Sequence, residues 1–184
     1  MSVVASTEPA TQSNSRYLRH TQIEGFSQSA IANLNVIVVG AGAIGNEVIK
    51  NLVLLGVATA EGCISVCDLD RVERHNLTRS VLLRESDIGQ DKAPAVVAHA
   101  RDLEPDCQLQ AISGDIADTL SLQQIAEADV VIGCIDNFEA RIRLNQLCLI
   151  TGTPWINTAI DSRYASVEVF PFGGDQATPC YECT

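Results

Sequence analysis

Val36-Ile37-Val38-Val39-Gly40-Ala41-Gly42-Ala43-Ile44-Gly45 runs straight into an amphipathic stretch, and it reads as a buried strand, a tight turn and a helix start. Such a layout sets a nucleotide's phosphates on a helix N-terminus. Each glycine has a task in it. Gly40 permits the sharp turn, Gly42 lets the backbone approach a ligand, and Gly45 lets the helix pack closely on the strand. By itself the turn fits NAD, FAD or ATP alike.

Working outward, the chain alternates strands and helices. Strands are expected at 35–39, 63–67, 108–112, 129–134, 154–158 and 165–170. Helices are expected at 15–20, 26–34, 43–55, 92–103, 121–126 and 137–150, with Gly56 in the C′ position that ends the long helix. Strands separated by helices imply parallel βαβ units, so the fold class is α/β, a Rossmann-like doubly wound, mostly parallel sheet with flanking helices. Residues 1–15 have no basic start, apolar core or helical period and read as a disordered tail; residues 16–184 read as one domain. The segment 68–91 is polar, lacks periodicity and is long for a connection, which marks it as functional.

Composition narrows the classes of function. At 184 residues and 46% hydrophobic, the chain can bury one good core. A net charge of −11 argues against nucleic acid as a partner, since phosphate contacts need clustered Lys and Arg. Any cationic nucleotide site is therefore local. The acidity suits a partner with a basic face, or plain solubility. Seven cysteines, an odd number, with no secretory signal point to a reducing cytoplasm. Charged and amide residues interrupt the longest apolar region, so no membrane span is expected.

Asp68 closes the second strand about 20 residues beyond the glycine turn, where a carboxylate can accept hydrogen bonds from both ribose hydroxyls or serve as an ordinary cap. After it come Asp68-Leu69-Asp70, Asn76-Leu77-Thr78-Arg79, Ile88-Gly89-Gln90-Asp91-Lys92, and Asp136-Asn137 with Arg141. Taken singly, Lys92 could be a solvated helix-start lysine and Asp136-Asn137 a helix cap. His20, His75 and His99 read as surface or loop residues, with no partner constellation visible.

Taken together and in this order, with Arg16-Tyr17-Leu18-Arg19 before the first strand and Pro179-Cys180-Tyr181-Glu182-Cys183 near the end, the chain resembles the ThiF/MoeB/HesA adenylating family. That family is related to the activating enzymes of ubiquitin and ubiquitin-like proteins. The resemblance implies ATP-dependent adenylation of the C-terminal Gly carboxylate of a ubiquitin-like or sulfur-carrier protein ending in Gly-Gly. It also implies roles for residues. Gly40, Gly42 and Gly45 shape the phosphate turn, Asp68 binds the ribose, and Asp70 belongs to the nucleotide site. Asn76, Arg79 and Lys92 hold the phosphates, Asp136 supports Mg²⁺, and Arg19 reaches the phosphates of a neighbouring subunit in a homodimer.

The chemistry agrees, because a carboxylate attacking a negative α-phosphate needs several cations and a metal. Two other classes remain as expectations: a catalytically silent subunit that binds a ubiquitin-like protein or an active partner, and an NAD- or FAD-dependent oxidoreductase. Cys180-x-x-Cys183 is half of a zinc-ribbon spacing, so Zn²⁺ is expected only if a second CxxC is supplied. The C-terminal part of the family's domain is expected to be missing. Ala43 stands where a third Gly is common in the family, and Ser80 where Gln is common.

Overall fold

The protein is described from a computed structural model, over residues 15–174 and 179–183. All but Ser15 of the expected tail lies outside those residues. Within the described residues six strands form one sheet: β1 (Val36–Val39), β2 (Ile64–Asp68), β3 (Leu109–Ser113), β4 (Val130–Gly133), β5 (Trp155–Ile160) and β6 (Ala165–Phe170). Their order is β3-β2-β1-β4-β5-β6, with the first five parallel and β6 antiparallel on β5. β6 departs because the connection after Ile160 is too short for a crossover helix. Asp161 closes it as a turn, its Oδ1 accepting the N–H groups of Arg163 and Tyr164 at 2.6 and 2.8 Å.

Among the described residues six helices flank the sheet: α1 (Gln28–Ala32), α2 (Ala43–Leu55), α3 (Lys92–Arg101), α4 (Ile116–Thr119), α5 (Leu122–Ala126) and α6 (Phe138–Thr151). Val36 and Val38 of β1 join Ile49 and Val53 of α2 and Val96 of α3 in one apolar layer. Ile37 and Val39 join Ile125, Leu144 and Trp155 in the other. A strand buried on both faces cannot alternate apolar with polar residues, which is why β1 reads as an unbroken apolar run. Among the described residues no helix is long and apolar enough to cross a membrane.

Two features of this architecture position the site. The chain leaves β1 toward β2 on one side and returns to β4 on the other, so a crevice opens between their C-terminal ends. Val39 pairs with both Cys67 and Gly133, so Gly40, Asp68 and Cys134 emerge level with one another at that edge. α2 and α3 both start at the crevice and end at the opposite edge. There Gly56, at φ +77°, stops α2 while it and Val57 return N–H groups to Val53 and Leu52.

The segment after β2 has two short 3-10 turns, Arg74–Thr78 and Glu85–Asp87, too brief to carry a periodic stripe. It is nonetheless held down. Val72, Leu82 and Leu83 are buried, and Asn46 of α2 accepts the Leu82 N–H at 2.9 Å while donating to the Ala41 carbonyl. α4 has no counterpart in the expected elements. Four residues capped by Asp115 leave too little pattern to read.

Candidate functional site

The crevice is a cavity of about 500 Å³. On its wall the glycine turn divides its labour. Gly40 sits at φ +94°, where a Cβ would lie 2.6 Å from the Cys134 carbonyl oxygen, and a Cβ on Gly45 would lie 1.9 Å from the Gly40 carbonyl oxygen. Both glycines are therefore demanded by the fold. Gly45 is needed for approach to the turn's own backbone more than to a strand. Gly42 differs, because a Cβ there meets nothing within 4 Å and would project into open space. It caps α2 without a side chain, and the first helical N–H groups are left for a ligand.

Asp68 reaches across from β2. Its Oδ2 accepts the Ala41 N–H at 2.6 Å and its Oδ1 the Asp70 N–H at 2.8 Å, which fixes the carboxylate beside the turn. Each oxygen keeps a free lone pair for a hydroxyl donor. Burial pushes its carboxyl above the usual range, and the two N–H groups and the Lys92 ammonium oppose that shift. Lys92, the first residue of α3, is buried, with Nζ 2.7 Å from Asp70 Oδ2 and 3.7 Å from Asp68 Oδ1. Its own N–H bonds the Asp70 carbonyl, so the lysine is stapled to the segment that carries both carboxylates. Lys92 is thus a buried lysine held by two carboxylates at the cavity wall, not a solvated helix-start residue.

Asn76 and Arg79 arrive on the first 3-10 turn. The Asn76 side chain is buried and accepts the Glu73 N–H at 2.9 Å, while its Nδ2 lies 3.2 Å from His75 Nε2. Arg79 is exposed and donates from Nη1 to the His75 carbonyl at 2.8 Å. Both line the cavity, as does His75. The fitted residue pattern matches a known group of proteins, since the ThiF family profile covers residues 14–184.

The chain belongs to the ThiF family. It is 34% identical over 176 residues to the SAMP-activating enzyme E1 of Haloferax volcanii, covering 91% of this chain and 60% of that protein. It is 32% identical over 164 residues to the sulfur carrier protein adenylyltransferase of Thermus thermophilus, covering 88% and 59%. Among solved structures it resembles E. coli MccB with AMPCPP and MccA, at TM-score 0.78 and 29% identity, over 94% of this chain and 52% of that one. The chain thus spans about half to three fifths of these proteins.

In this ThiF-family chain the far wall of the cavity is the loop after β4. Asp136 is exposed there and makes no hydrogen bond or ion pair among the described residues. The cap of α6 is Asn137, whose Oδ1 accepts the N–H groups of Glu139 and Ala140, so Asp136 is left free of that duty. Arg141 holds the loop in place, donating from Nε and Nη2 to the Ile135 carbonyl at 2.9 and 2.7 Å. An unpaired carboxylate facing buried and exposed cations across one cavity suits a divalent cation on a polyphosphate. Leu69, Gly114, Asp115 and Ile116 line the end beside Asp68. Sequence reasoning missed them, and the Gly114-Asp115 turn signal after β3 is the only local trace they leave.

Two expected groups lie elsewhere. Arg19 does not line the cavity and sits with the segment packed on the opposite edge. Cys180 and Cys183 bring their Sγ atoms to 3.3 Å, and Tyr181 between them donates its N–H to Asn145 of α6 at 3.0 Å. The contact with Cys183 lowers the Cys180 thiol. Among the described residues no cluster of three or more His, Cys, Asp or Glu could hold a metal. The histidines are also more engaged than expected. His20 Nδ1 lies 2.7 Å from Gln28 Oε1, and His99, on α3, lies 2.9 Å from the buried Asp87.

Proposed function

We propose that this protein is an ATP-dependent adenylyltransferase that activates the C-terminal Gly carboxylate of a ubiquitin-like or sulfur-carrier protein. The carboxylate oxygen bonds to the α-phosphorus, the bond from that phosphorus to the bridging oxygen breaks, and pyrophosphate leaves with the electron pair. One observation carries the reading: Lys92, Arg79 and Asp136 face one cavity together with the glycine turn and Asp68. Hydride transfer has no use for that set. A silent subunit would not need it, so the silent-subunit reading is not favoured.

The residues present fit ATP and Mg²⁺. Gly42 and the start of α2 would cradle phosphate, Asp68 would take the ribose, and Lys92, Arg79 and Asn76 would hold the phosphate chain. Asp70 is better placed to hold Lys92 than to touch the nucleotide. Mg²⁺, held by Asp136, would neutralise phosphate charge. Water exclusion at the carboxylate would come from Ile135 and Ile160 at the open rim.

A homodimer is part of the same proposal. Arg19 sits at the edge where α2 ends, and the thirteen residues of that helix span roughly 20 Å, farther than an arginine side chain reaches. If Arg19 serves a phosphate, that phosphate belongs to another copy. A cytoplasmic setting is supported by seven cysteines that are all free. Calorimetric titration with ATP·Mg²⁺ and with NAD tests the nucleotide assignment. Micromolar ATP binding with no NAD signal is expected, and the reverse would overturn it.

A further inference from the structure

We propose that Glu104 is a positioning residue, which clamps the segment bearing Arg19 so that the guanidinium is presented to a neighbouring copy's cavity. The inference rests on the reading that Arg19 acts on another copy. Glu104 follows α3 and is only 4% exposed. Its Oε2 accepts from Tyr17 Oη at 2.5 Å and from Arg16 Nη1 at 2.6 Å, and Arg16 Nη2 donates to the Leu103 carbonyl at 2.9 Å. The Tyr17 ring lies against Gly56, where a Cβ would come within 2.4 Å of it. On the other side of Arg19, His20 is tied to Gln28, whose Nε2 donates to the Leu55 carbonyl at 3.0 Å.

Arg19 is thus bracketed by two anchored neighbours, while it is itself exposed and without an ion pair among the described residues. A buried carboxylate stripped of its partners is costly, so Glu104 resists release of the segment more strongly than an apolar contact would. Burial and the Glu104 carboxylate both push the Tyr17 phenol up, which keeps it a donor at any ordinary pH.

The rival role is within one chain, because α3 joins Glu104 at one end to Lys92 at the other. Complementation separates the two. Glu104→Ala and Tyr17→Phe, each shown to be folded and to exchange subunits, should bind ATP·Mg²⁺ roughly tenfold or more weakly, like Arg19→Ala, with Glu104→Gln intermediate. When Glu104→Ala or Arg19→Ala is mixed and re-equilibrated with Lys92→Ala, about one chain in four should regain a site of wild-type affinity, because a heterodimer has one complete cavity. Recovery with Arg19→Ala but not with Glu104→Ala would place Glu104 in its own chain's site and overturn the proposal while sparing Arg19. Recovery with neither would remove the Arg19 reading and this proposal together. Wild-type binding by Glu104→Ala and Tyr17→Phe would also overturn it.

Discussion

Replacing Lys92 with Met keeps the apolar stem and removes the charge, and it should separate what the lysine does for the fold from what it does for the nucleotide. The ammonium lies between two carboxylates, with its side chain and that of Asp68 each 7% exposed and that of Asp70 58% exposed. Removing one partner of a fully buried pair costs about 3–5 kcal/mol. Here Asp70 can turn to water, so a loss of about 2 kcal/mol is expected, which lowers the melting temperature of a domain this size by roughly 4–8 °C.

Binding should suffer separately. A charge-assisted hydrogen bond to phosphate contributes about 1.5–3 kcal/mol, so affinity for ATP·Mg²⁺ should fall roughly tenfold to a hundredfold. The double variant Lys92→Met with Asp70→Asn neutralises the carboxylate that can already turn to water and leaves the buried Asp68 unpaired. It should therefore recover little of the lost stability and none of the affinity, as read by thermal unfolding and calorimetry on the same samples. ATP·Mg²⁺ binding by Lys92→Met within about threefold of wild type would refute the assignment of Lys92 to phosphate.

Three further outcomes are expected. Gly42→Val should leave the melting temperature nearly unchanged and abolish ATP binding, whereas Gly45→Ala, with a Cβ 1.9 Å from a carbonyl oxygen, should destabilise the fold by about 3 kcal/mol or more; equal melting temperatures would show that the glycines are not divided in this way. Asp136→Ala should reduce the adenylation rate far more than ATP affinity, because metal-held charge matters most in the transition state; a near-normal rate would remove Asp136 from the metal. Burial pushes Cys107 and Cys134 up to about 11 and Cys148 up to about 12, so at pH 8 these thiols stay protonated and inert, while Cys180 is lowered. Iodoacetamide with peptide mass mapping should modify Cys180 and Cys183 first, and early labelling of Cys148 would contradict this ordering.

Some of this was written plainly in the sequence. The run Val36–Val39 has to be a central strand because both of its faces are apolar, and Gly56 marks the end of α2 to the residue because only a left-handed backbone closes it there. The cavity residues were legible as a pattern of types in order. What stayed hidden were the relations among them. Nothing in the sequence tells that Lys92 is neutralised by Asp70, that Asn137 and not Asp136 caps α6, or that Glu104 and Tyr17, far apart in the chain, meet. Those depend on how α3 and the segment after β2 pack, and side-chain periodicity carries no record of it. The short α4 and the Leu69–Ile116 end of the cavity escaped for a related reason, since four-residue helices and loop ends have no period to read.

Transfer of the adenylyl group of ATP to a protein carboxylate in the cavity, with release of pyrophosphate, is tested most directly by ATP–pyrophosphate exchange. Labelled pyrophosphate should enter ATP only when a β-grasp carrier ending in Gly-Gly is present, and removing the terminal Gly of that carrier should stop it. Exchange that needs no carrier, or none with any such carrier while ATP is bound, would contradict the account.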